Sequence, residues 1–194
     1  MLGFGPPDTA RPNLPECSPN AMRRLMLLRH AKAVPQGELA DENRPLAERG
    51  RTDMSAVAAF AAGRGLVPDL VLVSPAIRTL ETWELLLPAL TAPPVHRIEP
   101  RLYAASAAQV LDVVRATGAE FQSLMMIGHN PGLEDAARIL TGSGETDALI
   151  RFGGTMPTAS LAVIDLSGGW GDLQERTGRL EIFVTPKSLG VRGD

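Results

Sequence analysis

The residues of this 194-residue chain that could do chemistry follow short apolar segments. The segments are 25–28, 70–73 and 124–127, and four candidate residues come after them: Arg29, His30, Arg78 and His129. The chain contains 3 histidines, and two of them belong to this set. An arginine guanidinium binds two phosphate oxygens at once, and a neutral imidazole is a competent nucleophile near neutral pH. These residue types therefore indicate phosphoryl transfer, a reaction that depends mostly on positioning and charge neutralisation.

Each candidate also has a purely structural interpretation. An arginine after a buried strand often only marks the return of the chain to solvent, and the sequence Asn130-Pro131-Gly132 behind His129 is typical of a turn. The remaining histidine, His96, lies in no such context and is interpreted as an ordinary residue. The structural interpretation is weakest for the set as a whole, because four such residues at three strand ends are unusual in a protein that binds no anion.

Short strands that alternate with helices must position these residues. Apolar runs predict strands at 25–28, 70–73, 95–99 and 124–127, and two later strands, expected to pair antiparallel at or near an edge, at 160–166 and 180–185. Helical periodicity and capping residues predict helices at about 46–62, 79–87, 106–116 and 133–140. This alternation predicts an α/β fold, a single-domain three-layer sandwich with a mostly parallel sheet and helices on both faces. Ligands of such sheets bind beyond the carboxyl ends of the strands, so the four candidates should share one rim.

The composition limits the classes of partner. Hydrophobic residues make up 44% and charged residues 21% of the chain, as in ordinary globular proteins. The formal net charge of −3 disfavours nucleic acid and anionic membranes as partners, since both attract basic surfaces. No apolar run approaches the roughly 20 residues that are needed to cross a bilayer.

The first 22 residues differ from the rest of the chain. They are rich in Pro, Asn, Ser and Gly and lack periodicity, so we interpret 1–22 as a flexible N-terminal arm and 23–194 as the folded domain. The prolines in this stretch argue against a secretion signal. The single cysteine, Cys17, permits no internal disulfide and fits a reducing compartment, so the expected location is the cytoplasm.

Three segments resemble the signature motifs of the histidine phosphatase superfamily, which also contains the cofactor-dependent phosphoglycerate mutases. Leu28-Arg29-His30-Ala31 resembles its Arg-His-Gly signature, Ser74–Thr79 its second-arginine motif, and Gly128-His129-Asn130-Pro131 its second-histidine motif. The span Asp41–Leu46 with Gly50, together with the short chain, resembles the small SixA-type phosphohistidine phosphatases. Because the order and rough spacing agree from the first strand to about Gly132, the combination is more specific than any one fragment.

The resemblance implies a role for each matching residue. His30 is expected to attack phosphorus and to become a phosphohistidine intermediate. Arg29 and Arg78 are expected to bind the phosphate oxygens, and His129 to hydrogen-bond the phosphoryl group as its charge shifts. Arg44 is a possible further phosphate-binding residue, or it forms a salt bridge that pins its own loop.

Two departures from the family pattern affect these expectations. Ala31 replaces the usual glycine, which would strain the backbone if a positive φ were needed there. Larger members of the family carry an acid near the third strand that protonates the leaving group, and here Arg101 falls at that place. Glu99, two residues earlier, is a possible general acid, although it could equally pair with Arg101 or face elsewhere. Pro100 predicts an extended segment in which Glu99 and Arg101 point the same way.

The sequence therefore predicts a phosphatase that acts through a covalent phosphohistidine intermediate on His30. The resemblance implies that the substrate is a signalling or phosphotransfer protein that carries a phosphohistidine, or else a small phosphorylated molecule. A small-molecule phosphomonoesterase on the same fold and a non-catalytic phosphate-binding module remain alternatives. Neither a metal nor a cofactor is expected, because the chain lacks metal-ligand spacing and has no glycine-rich turn after its first strand. The absence of a long insertion that could enclose a phosphosugar disfavours a mutase, and the oligomeric state stays open.

Overall fold

The computed structural model of the protein describes residues 22–191. The predicted N-terminal arm therefore lies outside the described residues, except for Met22, which opens the first strand. Within the described part, no helix is long and apolar enough to span a membrane.

Residues 22–191 form seven strands and five α-helices arranged around one sheet. The strands are β1 (Met22–Arg29), β2 (Leu70–Val73), β3 (Val95–Ile98), β4 (Ser123–Gly128), β5 (Thr141–Gly144), β6 (Leu161–Ser167) and β7 (Gly178–Val184). The helices are α1 (Glu48–Gly63), α2 (Ile77–Leu86), α3 (Ala107–Arg115), α4 (Gly132–Leu140) and α5 (Thr146–Phe152). The strand order is β3-β2-β4-β1-β6-β7-β5, in which β6 is antiparallel to both of its neighbours and every other pair is parallel. This arrangement confirms the predicted α/β fold with a mostly parallel sheet.

Strand β1 lies in the middle of the sheet and is buried on both faces. Leu25 and Leu27 face a core shared with α3, α4 and α5, whereas Met26 and Leu28 face a core shared with α1 and α2. Each of these four side chains is at most 1% exposed. Helices therefore cover both faces of the sheet, as predicted. Because β1 is tightly packed, the position of the residues that follow it is fixed.

Two elements between α4 and β6 were not predicted. β5 reads Thr-Gly-Ser-Gly, contains no large apolar residue, and forms an edge of the sheet beside β7. A β-carbon at Gly144 would lie 2.4 Å from the carbonyl oxygen of Leu180, so the two strands approach too closely for a side chain at this position. The glycine content of this segment is typical of a loop. Here, however, glycine at position 144 is required by the close contact between β5 and β7. Helix α5 has only 7 residues, too few for a clear helical period.

The prediction of an extended segment through Pro100 is wrong. Residues Pro100–Leu102 form a 3-10 turn, and Glu99 caps it by accepting a hydrogen bond from the backbone N–H of Arg101 at 3.1 Å. The fixed φ of proline suits the first position of a helical turn, where its missing N–H costs nothing. Glu99 and Arg101 therefore meet across a turn rather than along an extended strand.

Helix α1 is docked closely on the loop that follows β1. The backbone N–H of Ala47, just before the helix, donates to the carbonyl oxygen of Lys32 at 2.8 Å. A β-carbon at Gly50 would lie 2.1 Å from the same oxygen, so glycine is required by this contact. The contact fixes the start of α1 to a point two residues after His30.

We expect Gly50→Ala to lower the free energy of unfolding by roughly 1–3 kcal/mol, because the added methyl group overpacks the Lys32 backbone. Gly63→Ala, at the other end of the same helix, meets no atom within 4 Å and should stabilise the protein by up to about 1 kcal/mol. Denaturant unfolding of the two variants measures the difference. Equal effects of the two substitutions would contradict the close contact.

Candidate active site

The carboxyl ends of β1, β4 and β2 meet at one edge of the sheet because these strands are adjacent and parallel. The ring centroids of His30 and His129 lie 5.1 Å apart. Arg29 and Arg78 lie close enough to both rings for their charges to lower the pKa of each imidazole. The structure thus brings together the four residues that the sequence singled out.

The two ring nitrogens of His30 differ: Nδ1 is hydrogen-bonded to the backbone, and Nε2 is available to react. Its Nδ1 lies 2.8 Å from the backbone carbonyl oxygen of Ala31, and because a carbonyl only accepts, Nδ1 carries the proton. Burial is the main cause that lowers the pKa of His30 to about 3; the neighbouring His129, Arg78 and Arg29 act in the same direction, and the bond to Ala31 opposes them. The neutral ring therefore keeps the lone pair of Nε2 free for nucleophilic attack.

Ala31 occupies the place of the usual glycine without backbone strain. The residue is fully buried, and it is not among those with a positive φ. Its backbone N–H donates to the Thr82 hydroxyl at 3.1 Å, which ties this point of the loop to α2. The departure from the family pattern at Ala31 is therefore compatible with the geometry of the site.

His129 is oriented by a residue to which the sequence assigned no role. Its Nε2 lies 2.7 Å from the hydroxyl oxygen of Ser74, which is fully buried at the end of β2. The Nδ1 atom of His129 is buried and has no hydrogen-bond partner among the described residues. Burial, followed by the charge of Arg78, lowers the pKa of His129 to about 4, although the Asp41 carboxylate opposes this. The second imidazole is therefore also neutral near neutral pH.

The two arginines are each anchored at the terminal end of the guanidinium. Arg29 donates from Nη1 to the carbonyl oxygen of Met156 at 2.7 Å. Arg78 donates from Nη1 and Nη2 to the carbonyl oxygen and the carboxylate Oδ2 of Asp41, at 2.5 and 2.8 Å. The Nε atom of each arginine is buried and has no partner among residues 22–191. Each guanidinium therefore has one N–H group that lacks an acceptor among the described residues and is shielded from solvent.

Asp41 is a site residue whose contacts sequence reasoning missed. It opens a short 3-10 turn, Asp41–Asn43, in the loop between β1 and α1. Its carboxylate accepts hydrogen bonds from Arg44, from Arg78 and from the Tyr103 hydroxyl. The bond from Arg44, then those from Arg78 and Tyr103, hold its pKa at about 2, so it stays ionised. The only available signal was that Asp41 begins the segment that carries the SixA resemblance.

Arg44, a possible phosphate-binding residue, is occupied by its own loop. Its Nε and Nη2 atoms donate to the carbonyl oxygen of Val34 at 3.0 and 2.8 Å. Its Nη1 atom donates to Asp41 Oδ1 at 2.7 Å. These contacts correspond to the alternative in which Arg44 pins the loop.

Glu99, the possible general acid, is engaged by Arg101. The carboxylate accepts from Nε and Nη2 of Arg101 at 2.9 and 2.8 Å, and these bonds are the main cause that lowers the pKa of Glu99. Glu99 also lines a cavity between β3 and α3, together with Leu72, Val113 and Thr117. The lining of that cavity includes neither histidine of the site, and Glu99 is not among the charges that shift the pKa of either histidine.

The unused polar atoms of the site suit an anion. They include Arg29 Nε, Arg78 Nε and His129 Nδ1. Two carboxylates lie near them. Asp41 is bound to two arginines, and Glu134 accepts hydrogen bonds from Asn130 Nδ2 and the Met156 N–H. Burial lowers the pKa of Arg29, and the charge of Glu134 opposes this. A tetrahedral phosphate offers several acceptor oxygens to such converging donors. Within residues 22–191, no group of three or more His, Cys, Asp or Glu side chains is arranged to hold a metal ion.

Comparison with known proteins gives consistent matches. The model of the histidine phosphatase superfamily (branch 1) matches residues 25–103. A SixA protein from Agrobacterium tumefaciens, a candidate phosphohistidine phosphatase, is 31% identical with a TM-score of 0.72, over 84% of this chain and 98% of that one. A SixA protein from Nakamurella multipartitia is 25% identical with a TM-score of 0.71, over 87% and 99%. An uncharacterized protein of Mycobacterium tuberculosis is 30% identical over 162 residues, 82% of this chain and all of the relative.

The fold and these matches define a phosphatase, a hydrolase that acts on phosphorylated substrates. The chain belongs to the histidine phosphatase superfamily. The family and the enzyme class that the motifs predicted are thereby confirmed.

We expect His30 and His129 to stay neutral across the range in which ordinary histidines titrate. With pKa values of about 3 and 4, their ring signals should not shift between about pH 5.5 and 8 in phosphate-free buffer. Imidazole NMR spectra, assigned with single His→Ala variants, test this. Because both pKa values are lower in the folded state, the unfolded chain binds protons first, and the stability of the fold should decline as pH falls below about 6.5. A titration of either ring near pH 6.5 would contradict the expectation.

Proposed function

We propose that the protein hydrolyses its substrate through a covalent phosphohistidine formed on His30. The observation that carries the proposal is the state of the His30 ring, whose Nδ1 donates to the Ala31 carbonyl while Nε2 keeps its lone pair. Arg29 and Arg78 bring positive charge close to this ring, and the neutral His129 ring lies beside it. A nucleophile that is already deprotonated needs no general base to attack.

The reaction proceeds in two displacements. In the first, His30 Nε2 forms a bond to phosphorus while the bond from phosphorus to the leaving group breaks. The guanidinium groups of Arg29 and Arg78 bind the equatorial oxygens, which carry the negative charge. A Ser74 hydroxyl that donates to His129 Nε2 sets the proton on Nδ1, and this N–H then supports the phosphoryl group. In the second displacement, the oxygen of a water molecule forms a bond to phosphorus while the bond from phosphorus to His30 Nε2 breaks. Inorganic phosphate leaves with the protons of the water, and His30 returns as a neutral imidazole.

The proposed substrate is a phosphohistidine in a signalling or phosphotransfer protein. A phosphohistidine whose ring is protonated can leave as a neutral imidazole, so its hydrolysis needs no positioned acid. This matches a site in which Glu99 is held by Arg101 and Asp41 is ionised. Similarity to SixA proteins supports the same substrate class.

We expect His30→Ala to reduce the turnover of p-nitrophenyl phosphate on the order of 10³-fold or more, because the covalent route is lost. Acid quenching of the wild type during turnover should trap an acid-labile phosphoryl group on His30, detectable by mass spectrometry. His96→Ala is the matched control, since His96 is exposed on β3, and it should leave turnover unchanged. A phosphoryl label on a serine or an aspartate would refute the nucleophile.

We expect kcat/KM to fall steeply as the leaving group becomes more basic, because a positioned acid, typically worth about 10²–10⁴-fold, is not available to alkyl phosphates. Phosphohistidine protein and aryl phosphates should be good substrates, whereas phosphoserine and sugar phosphates should be poor ones. Glu99→Gln should leave the slope unchanged. A shallow slope that steepens in Glu99→Gln would identify Glu99 as the acid and would favour ordinary monoesters as substrates.

A further inference from the structure

The contact between Asp41 and Arg78 uses one particular edge of the guanidinium. A guanidinium has an end edge, formed by Nη1 and Nη2, and a side edge, formed by Nε and one terminal nitrogen. Asp41 occupies the end edge with two acceptors, its backbone carbonyl oxygen at 2.5 Å and its carboxylate Oδ2 at 2.8 Å. On the side edge, the Nε atom is buried and has no hydrogen-bond partner among the described residues. We propose that Asp41 is a positioning residue that fixes the orientation of the Arg78 guanidinium for phosphate binding.

Asp41 is itself held so that it can set this orientation. Arg44 is fixed to the Val34 carbonyl by two donors and binds Asp41 Oδ1 with a third. Oδ2, the oxygen that receives Arg78, also accepts from the Tyr103 hydroxyl at 3.2 Å. Both carboxylate oxygens are therefore committed, and the low pKa of Asp41 keeps the charge in place at any working pH. The inference rests on the proposed phosphate-binding role of Arg78.

Two other roles for Asp41 fit the geometry less well. As a general acid it would need a proton, which a carboxyl group with a pKa of about 2 lacks near neutral pH. As a gate it would have to leave Arg78 before phosphate could bind, but Arg44 and the Tyr103 hydroxyl hold its carboxylate in place.

The charge of Asp41 gives the positioning role a distinctive signature. A carboxylate beside an anion-binding site repels the anion, so its presence cannot favour ground-state binding by charge. Any benefit must come from the alignment of Arg78 with the oxygens of the transition state. Removal of the carboxylate should therefore affect kcat and anion affinity in different directions.

The test compares Asp41→Ala and Asp41→Asn by kcat and KM for p-nitrophenyl phosphate and by the inhibition constant of tungstate. Asp41→Ala should lower kcat about 10- to 100-fold, the size expected when an orienting partner is lost, while tungstate binds no more weakly. Asp41→Asn keeps an acceptor for Arg78 and should recover most of the loss. Glu42→Ala, which removes an equal charge from the same exposed turn, is the matched control and should keep full activity.

A double-mutant cycle with Arg78→Lys separates positioning from a general effect on the loop. Lysine has no side edge to orient, so Asp41→Ala should cost little more in the Arg78→Lys background. An equal cost in both backgrounds, a rise in kcat for Asp41→Ala, or a wild-type kcat for Asp41→Ala would overturn the inference. Full activity of Arg78→Lys alone would instead overturn the proposed role of Arg78. Thermal unfolding of every variant shows whether a loss of activity reflects a loss of fold.

Discussion

The register between β1 and β4 is the constraint on which the site depends. The parallel ladder pairs Arg29 with Gly128, and it continues one residue further, where the backbone N–H of His30 donates to the Gly128 carbonyl at 3.0 Å. The Ser74 N–H extends the neighbouring ladder in the same way, to the Ile127 carbonyl. The two imidazoles are therefore neighbours because of main-chain pairing, and a slip of one residue would send the His30 side chain to the other face.

Burial has different effects on the charges of the histidines and of the arginines. An imidazole loses its proton when it is desolvated, as both histidines do here, whereas a guanidinium keeps its charge under the same conditions. The site therefore combines permanent positive charge on the arginines with an unprotonated nitrogen on His30. In the proposed reaction, one environment therefore supplies both the attraction for an anion and the nucleophile that attacks it.

The sequence predicted those parts of the fold whose residues carry a local pattern. Strands β1, β2 and β4 are buried on both faces, so they stand out as unbroken apolar runs, and the arginines and histidines mark their ends. Strand β5 could not be found in this way, because its glycines serve a contact with β7 that is distant in sequence. The contact of Asp41 with Arg78 could not be predicted for a similar reason, since the two residues lie 37 positions apart. The sequence could not decide whether Arg44 binds phosphate or pins its own loop. The outcome depends on the direction of the Val34 backbone carbonyl, which the residue type does not determine.

The segment before β6, residues 156–160, limits the sequence changes that the site can tolerate. It holds the Arg29-His30 pair through main-chain atoms alone: the Met156 carbonyl receives the Arg29 guanidinium, the Ser160 carbonyl receives the Arg29 N–H, and the Ala159 N–H donates to the His30 carbonyl. Substitutions along this stretch that respect its burial and the positive φ of Ala159 (57°) leave these bonds unchanged, whereas an insertion or deletion would shift all three. Evolution must therefore conserve the length of this segment more strictly than its composition if Arg29 and His30 are to keep their positions.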